Sequence, residues 1–163
     1  MGSIVRSFQN ATGLPSSMVD FTAKNWPFSI AHPKSWSIFE TTHGNNGDPY
    51  IVGLVIFPHG ANPLVEIARK EMDHSTLEEV VKWGKERAQR CQDYKPGVQQ
   101  GTSVSGLDGV RFEYSCLRKV SYFSKSPTRF KCLDNYVLKD SSAYALSSCA
   151  IEDRWMEVEP VFE

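Results

Sequence analysis

Four cysteines, four histidines and one run of basic residues are the side chains with the most chemical capacity in this 163-residue chain. Cys91, Cys116, Cys132 and Cys149 include no pair at the C-x-x-C spacing of zinc sites or redox dithiols. If the strands around them turn near Ser124 and at Asp140-Ser141, Cys116 lies opposite Cys132, and Cys132 lies opposite Cys149. Three thiols would then line one face of a sheet. Free thiols acting as small buried hydrophobes are the first reading. A disulfide within Cys116, Cys132 and Cys149 is the second, since cross-strand bonding must meet strict Cα and Cβ limits. A zinc site ranks third, because residues in line along strands converge poorly on a tetrahedron.

The histidines His32, His43, His59 and His74 are dispersed and fall mostly in turn-like sequence. His43 and Asp48, across a Gly/Asn-rich stretch, read as solvated loop polarity, with no H-E-x-x-H or EF-hand spacing to suggest a metal. The residues call for no metal and no cofactor. Nucleophilic catalysis needs a base beside the nucleophile and a group that orients the base. There is no G-x-S-x-G elbow, and Asp73-His74-Ser75 is accounted for by a helix start, where acids favour the dipole and serine caps. No catalytic residues are expected, and the chain is not read as an enzyme. The glycines from Gly44 to Gly47 lead to Asp48-Pro49 and a strand, a context that does not fit a phosphate loop.

The basic run is the most distinctive electrostatic feature. Arg118, Lys119, Lys125, Arg129 and Lys131 occur with no acidic residue from Ser115 to Leu133, and Tyr122 and Phe123 sit at the centre. A basic hairpin tip with two aromatics suits an acidic protein surface. Lysines on a solvated strand edge, where they oppose aggregation, are the competing explanation. Nucleic acid ranks lower as a partner, because the net charge is −1 and gives no global attraction to phosphate. An alternative to protein binding is a small-molecule or lipid carrier with its ligand in an apolar cleft between sheet and helix.

These residues need a scaffold, and composition limits it. Forty per cent hydrophobic and 23% charged residues describe one ordinary soluble domain, long enough to bury a core without staples. The longest apolar run, Ile51 to Phe57, is far short of the ~20 residues that span a bilayer. No signal peptide is apparent. Met1-Gly2-Ser3 reads as an appended remnant, and if a targeting segment was removed with it an envelope or extracytoplasmic origin stays open; localisation, partner and oligomeric state are otherwise unknown from sequence.

Residues 1–25 read as a flexible polar arm and 26–163 as a single α+β domain. Strands are expected at Phe28 to Ile30, Trp36 to Glu40, Ile51 to Phe57 and around Val65 to Lys70. His32-Pro33-Lys34-Ser35 reads as a turn between the first two. Ser75-Thr76-Leu77-Glu78 reads as a capping box opening a helix whose stripe is Leu77, Val80, Val81, Gly84, Ala88 and Cys91, with Trp83 to its side. Period-two segments follow at Val98 to Ser103, Val110 to Ser115, Arg129 to Leu138 and Ala143 to Ile151. Glu152 onward reads as a helix, kinked at Pro160 and cut short by the end of the sequence.

Phe28-Ser29-Ile30-Ala31-His32-Pro33-Lys34-Ser35-Trp36, the helix opening at Ser75-Thr76-Leu77-Glu78-Glu79, Gly106-Leu107-Asp108-Gly109-Val110-Arg111 and the last strand into Glu152 to Phe162 together resemble the PsbP-like family. That family includes photosystem II extrinsic proteins, a nuclear Ran-binding import factor and bacterial lipoproteins. The resemblance implies an antiparallel sheet of about six to seven strands flanked by helices, an α/β/α sandwich, and a binding or assembly role rather than catalysis. It implies no particular partner, because fold alone is a weak guide to function.

Overall fold

Alternating apolar and polar residues build most of this molecule, and the one long interruption of that alternation is its main helix. The computed structural model describes residues 18–24, 29–34, 37–40, 50–55, 64–120 and 124–162. The strands are β1 (Met18–Thr22), β2 (Ser29–Pro33), β3 (Ser37–Glu40), β4 (Tyr50–Val55), β5 (Leu64–Glu71), β6 (Gln92–Val104), β7 (Leu107–Arg118), β8 (Thr128–Lys139) and β9 (Ser142–Ile151). Helix α1 (Leu77–Gln89) joins β5 to β6, and a short 3-10 turn leads from β9 into α2 (Trp155–Phe162). Seven strands form one antiparallel sheet in the order β3-β4-β5-β9-β8-β7-β6, and β1 with β2 forms a separate two-stranded ribbon.

Two differences from the sequence reading lie near the start. Met18–Thr22, within the stretch assigned to an arm, is a strand paired with Ser29–Pro33. His32 and Pro33 therefore belong to a strand rather than a turn, and His32 is buried. Residues 1–17 and 25 of that arm, and His43, Asp48 and His59, lie outside the described residues.

The C-terminal part of the sheet is a meander with short turns. Ser105 and Gly106 both take positive φ between Val104 and its partner Leu107, the backbone that a two-residue hairpin of matching twist requires. Asp140 takes positive φ in the turn that pairs Lys139 with Ser142.

Helix α1 starts one residue later than its sequence suggests. Thr76 is the N-cap: its hydroxyl accepts from the Glu79 backbone N–H, and the Glu79 carboxylate accepts from the Thr76 N–H. Val80, Val81, Trp83, Gly84 and Ala88 are the buried residues of the helix, so Trp83 lies within the stripe rather than beside it. They meet Phe112, Tyr114 and Cys116 of β7, Phe130, Cys132 and Tyr136 of β8, and Ala143, Ala145 and Cys149 of β9. The other face of the sheet buries Val65, Ile67, Leu133, Val137, Tyr144 and Ala150. There Lys131 sets its ammonium 5.0 Å from the centre of the Trp155 ring of α2. A sheet with a helix on each face is the α+β, α/β/α arrangement expected.

At the centre of the α1 contact, a Cβ on Gly84 would overlap the ring of Tyr136, which is fully buried. Gly84→Ala gains about 1 kcal/mol of helix propensity but overpacks a ring with nowhere to move, at about 1–3 kcal/mol. The expected outcome is a net loss of stability in denaturant titration, despite the better helix former.

Candidate functional site

The basic segment forms the β7–β8 hairpin. Arg118 pairs with Thr128, so the chain reverses over residues 119–127. Tyr122 and Phe123 lie outside the described residues. Lys119 and Lys125 are exposed and Arg118 is half-buried. None of these three forms a salt bridge among the described residues.

Arg129 and Lys131 are placed differently. The Arg129 guanidinium forms an ion pair with the Asp93 carboxylate and also donates to the Asp93 carbonyl at 3.4 Å. Lys131 pairs with Glu113 at 3.3 Å. The absence of acids from Ser115 to Leu133 is a property of the chain, not of the surface, because neighbouring strands supply them. The predicted seven-residue patch thus divides. Arg129 and Lys131 are tied into the sheet, while Arg118, Lys119 and Lys125 gather at the hairpin's end.

That end is anchored. A disulfide joins Cys91, just past α1, to Cys116 of β7, with Cα atoms 5.8 Å apart. With the Arg129–Asp93 pair, it fastens the base of the hairpin to the α1–β6 junction. A second disulfide joins Cys132 and Cys149, which face each other directly across β8 and β9 with Cα atoms 4.1 Å apart. All four cysteines are thus bonded, and the expectation of free thiols is corrected. The register explains the pairing. Cys132 faces Tyr114, and Cys116 faces Phe130, two residues away from the register expected of this hairpin. Cys116 therefore bonds to Cys91, outside the predicted trio. No cluster of three or more His, Cys, Asp or Glu suited to a metal occurs among the described residues.

A buried acid went unnoticed in the sequence. Asp134 is 2% exposed and lies under α1, on the same side of β8 as Cys132 and Tyr136. Tyr136 donates its hydroxyl hydrogen to Asp134 Oδ2 at 2.6 Å. Oδ1 has no hydrogen bond of good geometry among the described residues. Burial pushes the Asp134 carboxyl up to about 6, and the Tyr136 and Ser147 hydroxyls hold it lower than burial alone would. Burial and then the Asp134 charge push the Tyr114 and Tyr136 hydroxyls far above the usual tyrosine range. Tyr94, Phe112 and Tyr114 pack beside it with ring centres 5.6–6.5 Å apart. The signal in the sequence was an acid two residues from both Cys132 and Tyr136, at the inward parity of an apolar strand.

The face between α1 and the sheet, where a carrier's ligand was placed, is occupied by these aromatic and cysteine side chains. An open groove lies instead on the outer flank of α1, beside β6, lined by Lys82, Lys85, Glu86, Gln89 and Gln99 among others. Its lining is largely charged.

The fold is PsbP-like. The cyanobacterial PsbP, CyanoP, of Synechocystis superimposes with a TM-score of 0.62 at 13% identity, over 94% of this chain and 92% of that one. LpqN of Mycobacterium tuberculosis, a protein involved in cell envelope biogenesis, gives 0.53 at 13% identity over 92% and 81%. PA94 of Pseudomonas aeruginosa, a protein of unknown function, gives 0.52 at 11% identity over 89% and 90%. No protein-family model matches the sequence, and no curated protein matches it significantly. No helix among the described residues is long and apolar enough to cross a membrane.

Asp134 gives a definite pH dependence. Its carboxyl binds a proton more tightly folded, at about 6, than unfolded, near the ordinary 3.8. Above pH 6 the buried charge therefore opposes folding, by roughly 3 kcal/mol. The penalty fades as pH falls through 6 and is gone below the unfolded value. Asp134→Asn should flatten the stability profile between pH 4 and about 6–7 relative to the native chain, as measured by urea unfolding across that range.

Proposed function

We propose that this chain is a non-catalytic binding or assembly module that contacts an acidic protein surface through the end of its β7–β8 hairpin. The observation that carries this reading is the division of the basic segment. Arg129 and Lys131 already have acidic partners. Arg118, Lys119 and Lys125 stand beyond a strand position that the Cys91–Cys116 disulfide ties to the end of α1. A charged loop on a fixed base loses little conformational entropy on docking, which favours recognition. Tyr122 and Phe123, within the same loop of sequence, supply the aromatic content common at binding hot spots. Two disulfides in a chain of this size suit an oxidising compartment. The envelope role of LpqN, which shares the fold, is in keeping with that placement.

The residues to reverse are Lys119 and Lys125. Reversing Arg129 or Lys131 would set like charges against Asp93 or Glu113, so lost binding there would report on folding. Lys119→Glu with Lys125→Glu should leave thermal unfolding within about 0.5 kcal/mol of the native chain, as for exposed sites generally. The same pair should abolish low-salt binding to immobilised poly-glutamate, a surrogate acidic surface, while the native chain binds and is released by salt. Equal retention of native and doubly reversed protein would overturn the assignment.

A further inference from the structure

The two edges of the seven-stranded sheet are unequal. β3, at one edge, is four residues long, and short edge strands resist pairing with other chains. β6, at the other, is thirteen residues long. Its first half carries the usual protections: Lys95, Pro96 and two shifts of register, between Gln92 and Lys95 and between Pro96 and Gln99. Its second half has none. From Gln99 to Val104 the pairing with β7 runs without a break. Val98 to Val104 contains no charged residue and no proline, and Val98 is 59% exposed.

This stretch, Val98-Gln99-Gln100-Gly101-Thr102-Ser103-Val104, is complementary to itself when reversed. An antiparallel copy centred on Gly101 sets Gln99 against Ser103 and Gln100 against Thr102, and brings Val98, at the register shift, near Val104. Apolar residues thus meet apolar ones, and side-chain amides meet hydroxyls. A Cβ at Gly101 would have nothing within 4 Å, so no side chain covers the face of the sheet at the midpoint. Beyond the stretch lie Lys95, 4.0 Å from the Asp93 carboxylate, at one end and Asp108 of β7 at the hairpin end. The uncharged centre gives two copies no reason to repel.

We propose that Val98 to Val104 is a homodimerisation edge, at which two copies of this chain pair antiparallel about Gly101 into one continuous sheet. The interface is isologous, as closed two-fold symmetry requires. Each α1 then lies on the same side of the joined sheet, and the charged groove beside β6 faces its two-fold mate. This edge lies on a different strand from the basic hairpin end, so its test is independent of the preceding one.

Sedimentation velocity on the full chain over a dilution series to roughly 100 μM, a range that resolves weak self-association, gives the first readout, with a dimer expected. Gln100→Lys combined with Thr102→Lys places like charges directly opposite each other twice per dimer. It should raise the dissociation constant roughly tenfold or more, with the unfolding midpoint unchanged. Gln100→Lys combined with Thr102→Glu places opposite charges there and should restore dimerisation. Gly101→Cys adds the one free thiol of the chain, which a short bis-maleimide should trap as a covalent dimer. A native chain that stays monomeric at the highest concentration overturns the proposal. So does a dimer whose dissociation constant the lysine pair leaves unchanged, since another surface must then hold it.

Discussion

Helix α1 can settle on the sheet only because position 84 has no side chain. The ring of Tyr136 fills the space that any Cβ would take. That contact sets the distance between helix and sheet, and with it the burial of Val80, Trp83 and Ala88 on one side and of the β7, β8 and β9 aromatics on the other. The cost of the arrangement appears directly beneath. Tyr136 reaches Asp134 with its hydroxyl, so the tightest point of apolar packing is also where a carboxylate is kept from water. A buried polar pair of this kind fixes geometry more than it adds stability.

From that centre the sheet carries order outward to the loops. β8 is covered on both faces, with Cys132 and Tyr136 toward α1 and Leu133 and Val137 toward the other face. Its partner β7 runs beyond the helix to the basic hairpin end. The Cys91–Cys116 bond and the Arg129–Asp93 pair close that extension against the end of α1. The positioned end is therefore a continuation of the core rather than an appendage to it. Among the described residues, the edge strand β6 is held on one side only, where its second half pairs cleanly with β7.

The main helix, the C-terminal meander and the α+β class were legible in the sequence because each rests on a local period. Gly84 could be placed on the inner face from spacing alone. The capping box was misplaced by one residue because Ser75 and Thr76 are both good caps, each with a glutamate three residues on. The hydrogen bonds between Thr76 and Glu79 separate them. The hairpin register was off by two residues, so Cys116 faces Phe130 rather than Cys132, and it bonds to Cys91. The basic segment was visible as a run of charge, but its neutralising acids, Asp93 and Glu113, come from other strands. Sequence reveals which charges neighbour each other along the chain and is silent on those that meet across a ladder.

The two disulfides join the cysteines in order of appearance, the first with the second and the third with the fourth, across 25 and 17 residues. Four cysteines allow three connectivities, and this is the one whose loops neither overlap nor nest. During synthesis, which delivers the N-terminal side first, the first pair is complete before the third cysteine appears. An oxidase acting on the emerging chain meets the native partners first at each step. Such a connectivity can be written vectorially, with no wrong bond to be reshuffled by an isomerase.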